Sequence, residues 1–427
     1  MPPDRPLPRA SLVSRLRHDW RALGPGVISG AADDDPSGIA TYSIAGAQFG
    51  TAMLWTAVLT WPLMAAVQLM CARIGMVTGQ GLTSALRERF PRPVLAVASV
   101  ALLVANSFNI GADLSGMADA AELLTGVGSH VWVVCFAVVI GWATIAWRYA
   151  AIARILKWLA LALFAYVIAA LQVGPDWSAV LRDTFLPSLP RGRDGWATLV
   201  AILGTTISPY LFYWQASQEV EEEKLEGRSS TESRWGATPE ELADRRLDVG
   251  VGTFFSNVAM FFIILTTALT LHRHGITAPE SSREVAQSLE PLAGRFAALL
   301  YTIGLVGTGF LAIPTLAGAS AYALAELYGW REGIDERLRG APAFYAVFVL
   351  ALVAGVALDF ANVNPIRALF WSAVLNGGLA PFLLLGILLT ASDARIMQGQ
   401  PSRVPERLVV FVALVCMFAS ALAMAVL

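Results

Sequence analysis

Three consecutive acids, Asp33, Asp34 and Asp35, lie in the middle of the first long apolar segment, and Pro36, Ser37 and Gly38 follow at once. Arg21 precedes Asp35 by fourteen residues and Gly50 follows it by fifteen. At about 1.5 Å per helical residue, these flanks set the carboxylate near the middle of a hydrocarbon layer about 30 Å thick. An unpaired charge at that depth costs from about 3 to more than 10 kcal/mol, so such a residue faces a cavity, a partner or an ion. Irregular backbone there is tolerated only where it lines protein or water. The chain is therefore expected to cross a membrane, and its first crossing to break around a buried polar site.

Composition agrees. Of 427 residues, 56% are hydrophobic and 15% charged, against about 25% charged in an ordinary soluble domain. That leaves too little polar surface to coat a globule of this size, and the runs of twenty or so apolar residues suit a polytopic membrane protein. Cys71, Cys135 and Cys416 fall inside apolar runs without paired spacing, so neither a disulfide framework nor a zinc site is indicated. No nucleophile-base arrangement, phosphate loop or cofactor motif occurs, and neither enzymatic activity, a cofactor nor a nucleic-acid partner is expected. The Pro- and Arg-rich start does not read as a cleaved signal peptide.

Apolar runs bounded by charge or turn residues predict eleven spans, near 22–49, 53–78, 94–119, 130–147, 150–173, 196–218, 249–271, 296–325, 342–358, 366–390 and 406–427. Cytoplasmic loops carry the excess of Arg and Lys. With the N-terminus inside, 22 of the 30 basic residues fall on the cytoplasmic side and six on the other. Shifting the count by one helix scrambles this asymmetry, so the N-terminus is placed inside and the C-terminus outside. The chain thus divides into a tail at 1–21, a core at 22–390 with halves near 22–173 and 196–390, and a cytoplasmic loop with the eleventh span at 391–427.

The sixth span offers a second break. Gly204, Thr205, Thr206, Ile207, Ser208, Pro209 and Tyr210 place hydroxyls and a proline again near mid-membrane. Spans one and six run in opposite directions, as in an inverted five-helix repeat, where discontinuous helices meet at the midplane and freed carbonyls bind cations.

Asp35-Pro36 suits the start of a half-helix, with Asp as N-cap and Pro at the first helical position. A capping role and an ion-binding role are equally open for Asp35, and do not exclude one another. Three acids side by side repel, a difficulty that a cation resolves, and Asp33 and Asp34 sit where the first half-helix ends in partly negative carbonyls. Oxygen-only surroundings suit Mg²⁺, Ca²⁺ or Mn²⁺ rather than softer ions. Ser208 and the carbonyls of Thr205 and Thr206 face Asp35 if the repeat holds; alone, Ser208-Pro209 reads equally as a proline kink. Asn106, Asn109 and Asp113 share one face of the third span, in a structural or a transport role. The acids Glu219 and Glu221 to Glu223 read as a solvated cytoplasmic face, with attraction of cations to an exit as the alternative, and 224–247 reads as a flexible linker.

With these residues in view, the chain resembles the natural resistance-associated macrophage protein (Nramp) family of divalent-metal transporters. The resemblance runs through Gly24-Pro25-Gly26, Asp35-Pro36-Ser37-Gly38, Gly46 to Gly50, Gly204 to Tyr210 and Leu375 to Phe382. It implies an all-α polytopic membrane protein, a LeuT-type 5+5 inverted repeat of about eleven helices with the first and sixth broken, and metal bound between them. The residues matching the family's metal ligands are Asp35, Gly38, Thr205 and Ser208, with Asp33, Asp34 and Asp113 behind them. The departures are specific. Gly38 replaces the family's metal-binding asparagine and Ser208 its methionine, Tyr210 and Gln215 stand at two histidine positions, and Gly116 stands where the family's proton route has a glutamate. Loss of the sulfur removes the device that rejects Mg²⁺, and loss of the histidines and glutamate argues against proton coupling, so the chain is most similar to the magnesium-transporting branch. The expected activity is Mg²⁺ uptake, with Mn²⁺ also carried, by alternating access across a bacterial cytoplasmic membrane. The alternatives are a proton-coupled Mn²⁺ or Fe²⁺ symporter, a sodium-coupled organic-solute symporter and a transport-dead scaffold.

Overall fold

Proline opens five of the membrane helices, at Pro36, Pro209, Pro239, Pro342 and Pro365, where its missing N–H and fixed φ cost nothing. The computed structural model describes residues 29, 30, 32–147, 161–361 and 363–426. The tail at 1–21, the first turns of the first span and the start of the fifth lie outside these described residues. Among them, nine helices are long and apolar enough to cross a bilayer. The first and fifth spans add Pro36–Phe49 and Ala165–Val173, which gives the eleven expected from the sequence.

Both predicted breaks are present. Ser29, Gly30, Ala32 and Asp33 are helical, the chain bends at Asp34, and Asp35 is extended (φ −70°, ψ 170°) before the helix resumes at Pro36. The sixth span winds through Gly192–Thr206, opens at Ile207 and Ser208, and resumes as Pro209–Leu225. The seventh span (Pro239–Leu269) packs along the second half of the first, and the second span (Trp55–Thr78) packs along the second half of the sixth. This is one pairing repeated five helices later. The sixth span is the centre of the bundle, its apolar stretch 94% buried, whereas the fourth (Ser129–Ala146) and eleventh (Val404–Val426) are 28% buried and turn Val131, Val138, Phe411 and Leu422 outward.

The helices at the breaks approach through glycine. A Cβ on Gly30 would stand 2.5 Å from the carbonyl carbon of Gly252, and one on Gly204 would stand 2.7 Å from Gly377 Cα in the tenth span (Pro365–Ser392). Small residues let membrane helices pack backbone to backbone, and here they fix the broken helices against the seventh and tenth.

Two expectations are corrected at the Arg245 end of the bundle. The acids after the sixth span do not form a solvated face: Glu219 is 1% exposed and pairs at 2.8 Å with Arg245, which also holds Glu222 and Asp248. One guanidinium offers five donors, enough to let carboxylates enter the bundle. Nor is 224–247 a flexible linker. Buried Arg234 donates to the carbonyls of Gly79, Arg228 and Ser229 at 3.0, 2.9 and 3.1 Å, Gly79 being the left-handed residue that closes the second span. The seventh helix then starts at Pro239, earlier than expected, on a capping box of Thr238 and Glu241.

Candidate metal site

Asp35 is the N-cap of Pro36–Phe49 and accepts from Gly38 N at 2.7 Å and from Ser37 Oγ at 2.6 Å on one carboxylate oxygen, Oδ1. Its other oxygen, Oδ2, accepts from Asn109 Nδ2 at 3.0 Å. Three bonds use most of the roughly four acceptor positions of a carboxylate, and the remainder is free to meet a cation or its water. Capping therefore leaves this side chain with acceptor capacity to spare.

Asn109, in the third span (Arg92–Thr125), directs its second amide hydrogen to Asp113 Oδ2 at 3.2 Å. Its own oxygen accepts from Asn376 of the tenth span at 3.4 Å. The polar stripe of the third span thus divides by role. Asn106 binds the eighth span (Ala297–Tyr328) at Leu316 O and Ser320 Oγ, both 2.9 Å, whereas Asn109 and Asp113 join the first break.

Asp33 and Asp34 turn toward the seventh span, where Ser256 Oγ lies 2.8 Å from Asp33 Oδ2 and 3.1 Å from Asp34 Oδ1. The hydroxyl has one hydrogen to give to two carboxylates. Asp33, Asp34, Asp35 and Asp113 are each at most 6% exposed, and among the described residues no Arg, Lys or His pairs with them. Four acids buried without a counter-charge form the candidate site for a cation.

From the sixth span, Thr205 presents its hydroxyl to Gly38: a Cβ at Gly38 would stand 3.1 Å from Thr205 Oγ1, 3.4 Å from Tyr42 Cε2 and 3.5 Å from Asp33 O. A side chain at position 38 would therefore crowd Thr205 and Tyr42. Ser208 turns its hydroxyl back onto its own helix, donating to Gly204 O at 2.8 Å and Thr205 O at 2.7 Å, so the two carbonyls freed by the break are held by the break's own serine. Tyr210 donates to Ala32 O at 2.9 Å, and Gln215 accepts from Ser29 at 2.7 Å while donating to Glu219 at 2.7 Å. These two side chains tie the second half of the sixth span to the first half of the first. A Cβ at Gly116 would stand 2.8 Å from Leu369 Cδ1, so leucine fills the ground a longer side chain would need.

At the opposite end from Arg245, a cavity of about 430 Å³ opens between Gln48, Thr198, Ile366 and Phe370, with the Glu280–Arg367 ion pair at its rim. Among the described residues no three His, Cys, Asp or Glu side chains converge as a metal cage. Around the break the available ligands are oxygens, few of them able to reach one ion directly, an arrangement suited to a cation that retains water. Sequence reasoning missed Ser256, Asn376 and Tyr42. The first two are polar residues inside apolar runs, a signal present in the sequence, but only the packing shows which of these helices face the break.

The sequence pattern of the family described as natural resistance-associated macrophage protein-like matches residues 26–427. The chain is 28% identical over 404 residues to a divalent metal cation transporter MntH of Caldanaerobacter subterraneus subsp. tengcongensis, covering 90% of this chain and 87% of that protein. It is 30% identical over 310 residues to the MntH of Yersinia pestis, with 69% and 71% covered. In three dimensions it is similar to a manganese transporter of Eremococcus coleocola, with a TM-score of 0.78 at 16% identity over 98% of this chain and 88% of the other. A TM-score of 0.58 at 13% identity relates it to Mhp1, a nucleobase-cation-symport-1 family transporter, over 94% of this chain and 91% of that one. The fold is accordingly the LeuT-type inverted repeat with broken first and sixth helices.

Proposed function

The chain belongs to the Nramp family, divalent-metal transporters of the membrane rather than enzymes, and from that premise we propose that its preferred substrate is Mg²⁺, with Mn²⁺ also carried, without obligatory proton coupling. The observation that carries this reading is the ligand chemistry at the break. Asp35 holds the Ser37 hydroxyl and the Asn109 amide N–H on its two oxygens and has the carboxylates of Asp33, Asp34 and Asp113 close by, with serine where the family's methionine stands and no sulfur among these groups. Hard, oxygen-lined surroundings favour Mg²⁺ and Mn²⁺, and Mg²⁺ is held by one or two carboxylates while keeping several waters.

Asp35 is the indispensable charged ligand in this scheme, with Gly38, Thr205 and Ser208 shaping the site and Asp33, Asp34 and Asp113 adding negative field. Leu369 against Gly116, together with the engagement of Tyr210 and Gln215 in bonds to the first span, supports transport without the family's proton route. The membrane potential supplies direction, since a divalent ion crossing 100 mV gains about 4.6 kcal/mol, twice the single-charge value. With the N-terminus in the cytoplasm of a bacterial inner membrane, the 430 Å³ cavity faces outward and the Ser29–Gln215 bond closes the inner side. The working unit is the core 22–390, in halves near 22–173 and 196–390, with the eleventh span outside the repeat.

The test is flux into proteoliposomes under an imposed potential, with luminal Mg²⁺, Mn²⁺ and pH read together. Mg²⁺ entry without acidification is expected, and it is to vanish in Asp35→Ala. Acidification accompanying Mn²⁺ entry sinks the uncoupled mechanism and favours the proton-coupled Mn²⁺ or Fe²⁺ symporter. Sodium-dependent solute uptake, or no uptake at all, points to the remaining alternatives, an organic-solute symporter and a scaffold.

A further inference from the structure

We propose that Tyr42 is a specificity-determining residue of the cation site, its hydroxyl holding water of the hydrated ion from the first span while Thr205 does so from the sixth. The inference rests on the magnesium reading above and names the groups that recognise the ion's retained water.

Tyr42 lies one helical turn after Gly38, on the same face of the half-helix, and is 0% exposed. Its ring edge approaches the Gly38 position at 3.4 Å, beside Thr205 Oγ1 at 3.1 Å. An asparagine at position 38 would have to share this ground with the phenol, so Gly38 and Tyr42 form a matched pair. The two hydroxyls face one another and lie within the field of Asp33, Asp34 and Asp35. They are within reach of one another, and neither has any other hydrogen-bond partner among the described residues.

Buried phenols and hydroxyls satisfy their donors and acceptors as a rule, and two that have only one another beside an acid cluster leave one hydrogen and several lone pairs for a donor and acceptor that enter with the substrate. The water of an aquo cation supplies both. Metal-bound water donates to the phenol or threonine oxygen, and each hydroxyl hydrogen is then free for a neighbouring oxygen. Neither residue has to touch the metal. Mg²⁺ gives up its water reluctantly and so gains most from such a pair, whereas Mn²⁺ sheds water more readily and compensates by bonding Asp35 directly.

Tyr42→Phe keeps the ring against Gly38 and removes only the oxygen, and Thr205→Val does the same from the other side. Purified wild type and the two variants are titrated calorimetrically with Mg²⁺ and Mn²⁺, with flux of both ions measured in vesicles. Loss of one buried hydrogen bond is expected to weaken Mg²⁺ binding about tenfold and Mn²⁺ binding at most about threefold. Equal losses for the two ions, or none, overturn the assignment of Tyr42 while wild-type Mg²⁺ uptake still stands. A wild type that takes up Mn²⁺ but no Mg²⁺ overturns the magnesium reading itself, and this inference with it.

Discussion

Asn109 donates to Asp35 Oδ2 at 3.0 Å, and the same amide reaches Asp113 Oδ2 at 3.2 Å. Two buried acids are thus held apart on a neutral bridge, with Asn376 steadying it from the tenth span.

Removal of that bridge exposes its role. Asn109→Ala leaves two buried carboxylates each short of a donor, at about 1–3 kcal/mol per group. The metal-free variant is expected to melt below wild type, and Mg²⁺ to raise its melting temperature by more than it raises that of wild type. Scanning fluorimetry with and without Mg²⁺ decides this, and an equal Mg²⁺ shift in both proteins would disconnect Asn109 from the metal.

A larger loss is expected at Arg245, which binds Glu219 at 2.8 Å and Asp248 at 2.6 Å and also holds Glu222. Arg245→Met strands buried carboxylates and should destabilise the protein by about 3–5 kcal/mol. Adding Glu219→Gln and Asp248→Asn should recover most of it. Denaturation of the single and triple variants measures the difference, and a silent Arg245→Met refutes the idea that the network holds this end.

Glu332, in the loop after the eighth span, gives a pH signature. Burial, followed by the nearby Glu326, pushes its carboxyl well above the usual range, and its Oε2 has no hydrogen-bond donor among the described residues. A folded-state pKa above the unfolded value of about 4.5 favours the native state fully only below that value. This contribution is lost as the pH climbs from about 4.5 through the raised folded value. Glu332→Gln should flatten this part of the stability profile and melt above wild type at pH 8. Melting temperatures from pH 4 to 8 provide the check, and parallel profiles for the two proteins count against it.

Sulfur at the second break should change the choice of ion. Ser208→Met removes the donor that occupies Gly204 O and Thr205 O and adds a soft ligand. Cd²⁺ should then compete with Mg²⁺ about tenfold better than in wild type. Uptake of Mg²⁺ against rising Cd²⁺ reads the ratio, and an unmoved ratio means that the side chain at 208 does not border the ion.

Much of this architecture is legible in the sequence because a bilayer penalises exceptions. Asp35-Pro36 and Ser208-Pro209 stand out since nothing else in apolar spans needs acids, hydroxyls and breakers at half-depth, and both helices do open there. The acids after the sixth span were misread for the opposite reason. Glu219 to Glu223 look like an exit into water, and only the fold brings in Arg245 from the next helix to pair with Glu219 and Glu222, while Lys224 and Arg228 take Glu221 and Glu223. Arg234 misleads in the same way: its carbonyl partners include Gly79, 155 residues away in sequence. Tyr42 was passed over because an aromatic residue in an apolar run is ordinarily core, and its hydroxyl acquires meaning only from Thr205 across the break.

The contact between Gly116 and Leu369 also bears on how such a transporter can evolve. A glutamate arriving at position 116 meets leucine at its first side-chain carbon, so an acid re-enters there only if the Leu369 side chain swings aside, and a smaller residue at 369 without the acid opens a gap in the packing. Residues 116 and 369 are therefore best exchanged together, and the bulk at 369 sets what can be accommodated at 116.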